Sequence, residues 1–171
     1  FDELLKHKKS TRKLISQCRE QFLSYRRLRE WREIHGQLHV LMSELGFKSN
    51  EIPASYDEIH RALLTGLLGN IGFKTEKEGE YLGARGIKFA IFPGSVLKKG
   101  KAKWVVAAEL VETSKLYARC AGRIEPGWLE KMAGNLCKKH YLDPHWEKKQ
   151  AQVVAYERVT LYGLTIVPKR P

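Results

Sequence analysis

The sequence has little of what hydrolases, membrane proteins and secreted domains are built from. Its 171 residues contain no GxxxxGKS phosphate loop, no DEAH-like metal and ATP box, no GxSxG nucleophile turn and no CxxC pair. An autonomous nucleotide hydrolase or serine hydrolase therefore has no motif to stand on. No stretch approaches the roughly 20 consecutive apolar residues of a membrane span, and no polybasic tail adjoins a lipid-type helix, so membrane binding is disfavoured. Cysteine is scarce: Cys18, Cys120 and Cys137 are odd in number, widely spaced and set among apolar residues, which suits a reducing cytoplasm better than a disulfide scaffold. Repeats, low-complexity tracts and a signal peptide are missing as well, and the first residue is Phe1 rather than methionine, so the chain reads as a piece of something longer. Negative charge is also in deficit. Lys and Arg outnumber Asp and Glu 31 to 19, a formal net charge of +12, which draws the chain to polyanions, nucleic acid foremost.

What is present is a folded chain, 43% hydrophobic and 29% charged, with one change of period along its length. Leu14, Cys18, Phe22, Tyr25, Leu28, Trp31, Leu38, Leu41 and Leu45 recur mostly three or four apart, which predicts an amphipathic helix over 10–45, or two helices joined near Gly36. Ser10 or Thr11 serves as its N-cap and Gly46 as its C-cap. A second helix starts at Ser55, where Glu58 completes a capping box, and runs towards Gly72. The charged segment 74–79 is the natural boundary between a helical region, 1–75, and a second domain, 76–171. Beyond it the period drops to two. Four short strands within 80–132 (among them 88–92, 104–111 and 117–124), a helix from Pro126 across 128–140, and at least one last strand in 152–167, bent at Gly163, give an α+β chain. Its second half is expected to be a five-stranded oligonucleotide-binding (OB) barrel with an inserted helix.

The candidate binding residues are basic or hydroxylic and lie in turns. Lys98, Lys99, Lys101 and Lys103 cluster about Gly100, where flexible ammonium groups suit phosphates rather than base edges; Pro93-Gly94-Ser95 and Thr113-Ser114-Lys115 offer amides and hydroxyls. Each has a plainer reading as solvated surface or turn chemistry; on one barrel face together they form a nucleic-acid footprint. Phe89, Phe92, Trp104 and Tyr117 could stack bases, but alternation assigns Phe92 and Trp104 to the core and leaves Tyr81 or Tyr117 as stackers. His35 and His39, one helical turn apart, lack the glutamate of a zinc protease helix and read as a surface pair. His140, His145 and Asp143 have an unconvincing ligand spacing, and Gly66, Gly69 and Gly72 fit helix packing or a helix end better than phosphate binding. Arg26, Arg27, Arg29 and Arg32 spread around a helix as a solvated face, with channel lining as the alternative.

The run IFPGSVLKKGKAKWVVAAELVETSKLYARCAGRIEPGWL resembles the C-terminal OB fold of DEAH/RHA-family ATP-dependent RNA helicases. There an HPSS turn precedes a lysine-bearing strand pair and an E-x-V-x-T-S-K segment. CREQFLSYRRLREWREIHGQLHVLM is similar to the end of that family's helical helicase-associated region, so the resemblance covers roughly residues 10–167. Phe92 stands where the family has histidine and Gly94 where it has serine; with YLGARGIKFAIFPGS, PHWEKKQ and VTLYGLTIV, these departures resemble the bacterial HrpA subgroup. The resemblance implies a parent that spends ATP, with magnesium, to move along and unwind RNA in the cytoplasm, its ATPase lobes upstream of Phe1. It implies no cofactor and no catalytic residue within this chain. Implied partners are single-stranded RNA or DNA, the upstream lobes, and an activator protein or the ribosome. By position, Ser95, Thr113, Ser114 and Lys115 would contact RNA, with Lys98, Lys99, Lys101 and Arg119 in electrostatic support.

Overall fold

A computed structural model describes residues 1–7, 10–99, 102–149 and 151–170, and these divide into two units, Phe1–Pro53 and Ala54–Pro171. The first holds α1 (Asp2–Lys6), α2 (Thr11–Glu20) and α3 (Tyr25–Glu44). Ser10 caps α2 by accepting from the Lys13 amide at 3.2 Å, and the helix buries Leu14 and Cys18, one turn apart. The break in the long helical stretch comes at residues 21–24 rather than at Gly36. Phe22 takes the left-handed conformation (φ 57°) and the Leu23 amide donates to the Cys18 carbonyl at 2.8 Å, ending α2 as a glycine normally would. Ser24 then caps α3, which runs unbroken through Gly36 and stops before Gly46 at φ 77°. No residue of α3 is buried.

The second unit begins earlier than the charge pattern suggests. Ser55 and Glu58 form the expected capping box on α4 (Tyr56–Leu67), with the Ser55 amide donating to Glu58 Oε2 at 2.8 Å; the carboxyl is held below its usual range by that serine's hydrogen bonds. The helix gives way to a 3-10 turn, Leu68–Asn70, and to strand β1 (Ile71–Lys74). The expectation that everything before residue 72 is helical is therefore corrected: β1 is a barrel strand, and both α4 and β1 lie in the second unit, ahead of the expected boundary at 75/76. Strands β2 (Glu80–Gly83), β3 (Lys88–Ile91), β4 (Trp104–Glu112) and β5 (Leu116–Arg123) complete a closed barrel in the order β1-β2-β3-β5-β4. β3 and β5 run parallel and the other pairs antiparallel. The fifth strand is thus β1, not the end of the chain.

Pro126 opens α5 (Pro126–Ala133) as predicted, but the helix is shorter than expected because Gly134 (φ 48°) ends it. The rest folds into a separate meander, β6 (Cys137–Glu147), β7 (Gln152–Leu161) and β8 (Leu164–Arg170), in the order β6-β7-β8. The bend at Gly163 is the β7–β8 turn.

Two cores result. Tyr81, Phe89, Ile91, Val105, Ala107 and Ala118 fill the barrel, whereas Trp104, Val106 and Ile124 on its outer wall pack with Leu64 of α4, Leu129 of α5 and Val159, Leu161, Leu164 and Ile166 of the second sheet. Strand β4 serves both cores, which explains the unbroken apolar run from Trp104 to Ala107. In the barrel, Gly72 of β1 faces Gly83 of β2; a Cβ on Gly72 would fall inside the envelope of the Phe89 ring, and one on Gly83 would come within 2.9 Å of it. Gly72 is therefore a packing glycine in a strand, not at a helix end. On the far side Arg170 forms a bidentate pair with Glu130 at 2.6 and 2.7 Å and also meets Glu157, tying β8 to α5 and β7.

Candidate nucleic-acid interface

Alternation along β3 sends Phe89 and Ile91 into the barrel and Lys88, Ala90 and Phe92 outward; along β5, Ala118 points in and Tyr117 and Arg119 point out. The parallel register sets Ala90 against Tyr117. A track therefore runs along the outer face, from Lys88 and Lys115 at one end, past Ala90 and Tyr117, to Phe92 and Arg119. Its length, about four residues of strand, is roughly 13 Å.

The expected residues divide between the two ends of this track. Thr113, Ser114 and Lys115 form the β4–β5 turn, held by the Thr113 amide and hydroxyl donating to the Lys115 carbonyl at 2.9 and 3.4 Å. Ser95, Lys98, Lys99 and Arg119 gather at the other end, beyond β3. There the Ser95 hydroxyl accepts from the Leu97 amide at 3.3 Å and caps the short 3-10 turn Val96–Lys99, which leaves Lys98 and Lys99 exposed. Lys101 lies outside the described residues. The hydroxyls of Ser95 and Thr113 thus carry turn bonds, as their plainer reading holds, while the lysines stay in solvent.

The structure adds two lysines that the sequence reading passed over as boundary and strand. At the Lys115 end a cleft of about 340 Å³ is lined by Lys77, Glu78 and Gly79 of the β1–β2 loop, by Glu80, by Lys88, Phe89 and Ala90, and by Lys115 and Leu116. In OB folds the face of strands 2 and 3, with the first and fourth loops, is the usual binding surface. Glu80 pairs with Lys88 at 3.3 Å and with Lys77 at 3.5 Å. Burial opposes ionisation of Glu80, but the hydrogen bonds and charges of Lys88 and Lys77 outweigh it and hold the carboxyl below its usual range. Lys115 has no ion-pair partner among the described residues.

The aromatic assignments change in two places. Tyr81 is 3% exposed, its hydroxyl donating to the Ala102 carbonyl at 2.9 Å, so it is core and no stacker; burial pushes its pKa up. Phe92, expected in the core, is 37% exposed, meets Tyr117 edge to face at 6.2 Å, and carries the Arg119 guanidinium 4.8 Å above its ring. Arg119 Nε is buried without a hydrogen-bond partner among the described residues. A Cβ on Gly94 would stand 3.1 Å from Phe92 Cε1. The two departures in this turn, phenylalanine at 92 and glycine at 94, are therefore sterically coupled.

The other candidates are surface features. Arg26, Arg29 and Arg32 pair with Glu30, Glu33 and Asp2 at 2.9, 3.3 and 3.1 Å. His140 meets the Thr160 hydroxyl at 3.3 Å, and His145 Nδ1 meets the Asp143 carbonyl at 2.8 Å. Among the described residues no group of three His, Cys, Asp or Glu side chains could hold a metal ion, and no helix is long and apolar enough to cross a membrane.

Residues 59–136 match the family Oligonucleotide/oligosaccharide-binding (OB)-fold. Over 153 residues the chain is 54% identical to the ATP-dependent RNA helicase HrpA of Escherichia coli (strain K12), which covers 90% of this chain and 12% of that protein. Over 155 residues it is 51% identical to the HrpA homolog of Haemophilus influenzae (strain ATCC 51907 / DSM 11121 / KW20 / Rd), covering 91% and 12%. Among solved structures, the E. coli DExH-box NTPase HrpB aligns with 78% of this chain and 16% of its own, with a TM-score of 0.53 and 19% identity, a likeness of fold. The chain thus spans about an eighth of the curated relatives it matches.

Proposed function

From the chain's membership of the HrpA type of DEAH/RHA helicases, whose OB-fold region it contains, we propose that it is the accessory part that grips single-stranded RNA while ATPase lobes elsewhere in the parent do the unwinding. The observation that carries this reading is the outer barrel track, with Lys77, Lys88 and Lys115 in a cleft at one end, Tyr117 midway, and Phe92 beside Arg119, Lys98 and Lys99 at the other. Lysines of this kind hold phosphates without reading sequence, and the half-exposed rings give bases a place to stack. Single-stranded DNA would be gripped by the same chemistry. ATP and magnesium serve the lobes, and the parent works in the cytoplasm.

Changing Lys77, Lys88 and Lys115 together to Ala tests the track. Each phosphate contact contributes about −0.7 to the slope of log affinity against log salt on a single strand, so the triple variant should lose about two units of slope. An unchanged slope in a folded variant would remove the cleft from the binding surface.

A second reading has its own support. Helix α3 buries none of its residues, and Trp31, Ile34, Leu38, Leu41 and Leu45 are all more than half exposed, which is the mark of a surface awaiting a protein. On this reading the helical unit docks the ATPase lobes, or an activator or ribosome-associated partner, while the barrel holds RNA.

A further inference from the structure

The β6–β7 hairpin outruns the core that anchors it. Val159 and Leu161 of β7 are fully buried, but burial fades towards Gln152, and Val153 is 68% exposed. On β6, Tyr141 is 68% and Trp146 59% exposed. These two rings are five residues apart, a spacing that would put them on opposite faces of an uninterrupted strand. The register slips between Leu142 and His145, where Asp143 is in the left-handed conformation (φ 50°). Tyr141 consequently opposes Glu157 and Trp146 opposes Val153. Those partners are four residues apart on β7 and share a face, so the bulge turns both rings to one side, about 13 Å apart. Neither ring serves the core.

We propose that this arm is a second binding site for single-stranded nucleic acid, with unpaired bases stacking on Tyr141 and Trp146 and flanking phosphates held by Lys148 and Lys149. The proposal rests on the reading of the chain as an RNA-binding region and adds a site outside its barrel. The charge pattern selects the ligand. Lys148 and Lys149 are exposed, follow Trp146 towards the arm's tip, and have no ion-pair partner among the described residues, whereas Lys139, on the face of Tyr141, is committed to Glu157 at 2.9 Å and Lys169 to Asp143 at 3.6 Å. Protein-docking patches built on aromatics are depleted in lysine; surfaces that bind single strands combine the two. The arm's aromatics thus have the neighbours that a phosphate backbone requires.

The experiment is fluorescence anisotropy of the 171-residue chain with an oligouridine of about 12 nucleotides, with circular dichroism to verify folding. Tyr141→Ala with Trp146→Ala should weaken binding by at least about tenfold, at the scale of one lost stack, and leave the salt slope unchanged. Trp146→Phe should retain most of the affinity. Lys148→Ala with Lys149→Ala should instead reduce the slope by about 0.7 per lysine. Wild-type affinity in the folded aromatic double variant overturns the proposal. If that variant also loses binding to separately produced ATPase lobes, the arm is a protein contact. The barrel reading fails separately: the Lys77, Lys88 and Lys115 variant would then be neutral while the arm variant still weakens binding.

Discussion

Glu80 sits where it should restrain the grip on RNA proposed for the barrel, and removing its charge should tighten binding. Its carboxylate lies 3.3 Å from the Lys88 ammonium and 3.5 Å from that of Lys77, with its side chain 20% exposed. A phosphate oxygen accepting from the far side of Lys88 at about 2.8 Å would stand roughly 6 Å from that carboxylate. Coulomb repulsion between unit charges at about 6 Å is ~0.7 kcal/mol in water and ~2.8 kcal/mol at an effective dielectric near 20. The open setting of the cleft and salt screening favour the lower part of that range, an affinity gain of about three- to tenfold for Glu80→Gln. Freeing two lysines from their partner should also steepen the salt slope. Titrating oligouridine by anisotropy at several salt concentrations reads both quantities at once. Weaker binding, or identical binding with an unchanged slope in a folded variant, would refute the argument, because Lys77 and Lys88 would then be surface lysines with no phosphate to meet.

Two glycines that the sequence groups together should respond in opposite directions. Gly72→Ala forces a methyl into the Phe89 ring and should destabilise the second unit by about 1–3 kcal/mol, whereas Gly66→Ala, on α4 with nothing within 4 Å of a new Cβ, should be neutral or stabilise by up to ~1 kcal/mol; urea denaturation compares them. Acid should loosen the β8 anchor. The Glu130 carboxyl is held low by its hydrogen bond to Arg170, and that of Glu157 by Lys139 and Arg170. Depressed folded values give stability that is fully present above the ordinary carboxylate range and lost as pH falls through those lower values. Arg170→Met should therefore lower Tm most near neutral pH and progressively less towards pH ~3; a deficit independent of pH would show that the ion pairs contribute nothing.

How legible the molecule was depended on whether a residue's role was local. Capping at Ser10 and Ser55, the stop at Gly46, the start at Pro126 and the alternation of β3 to β5 are fixed by neighbours within a few residues, and all could be read directly. The break at Phe22 could not, since a phenylalanine seldom takes the left-handed conformation. β1 was hidden because IGFK is only four residues long and follows an amphipathic helix after a single 3-10 turn, and its glycine fits either element until Phe89 is seen against it. The strand layout pointed to the OB barrel and the residues to the Thr113-Ser114-Lys115 turn, and the family resemblance narrowed both to a helicase. It did not show that this turn and the lysines at 98 and 99 stand at opposite ends of a parallel strand pair, because that separation is a matter of register between segments far apart in sequence. Lys77 and Lys88 joined the cleft for the same reason. Phe92 was misassigned because alternation does not by itself say which face is the core: Phe89, three residues earlier, takes the inside and leaves Phe92 outside.

Over its first four residues, Trp104 to Ala107, strand β4 has no outside. There one row of side chains belongs to the barrel and the other to the layer under β7 and β8, so the OB-fold match, which ends at residue 136, stops in the middle of a folding unit. Cut there, the outer wall would keep the cover of α4 and α5 but lose Val159, Leu161, Leu164 and Ile166, and part of the Trp104, Val106 and Ile124 surface would meet water. The trailing sheet seals the barrel wall, and its overhanging arm is cantilevered from that wall, so a pull on the tip loads the same strand that lines the barrel.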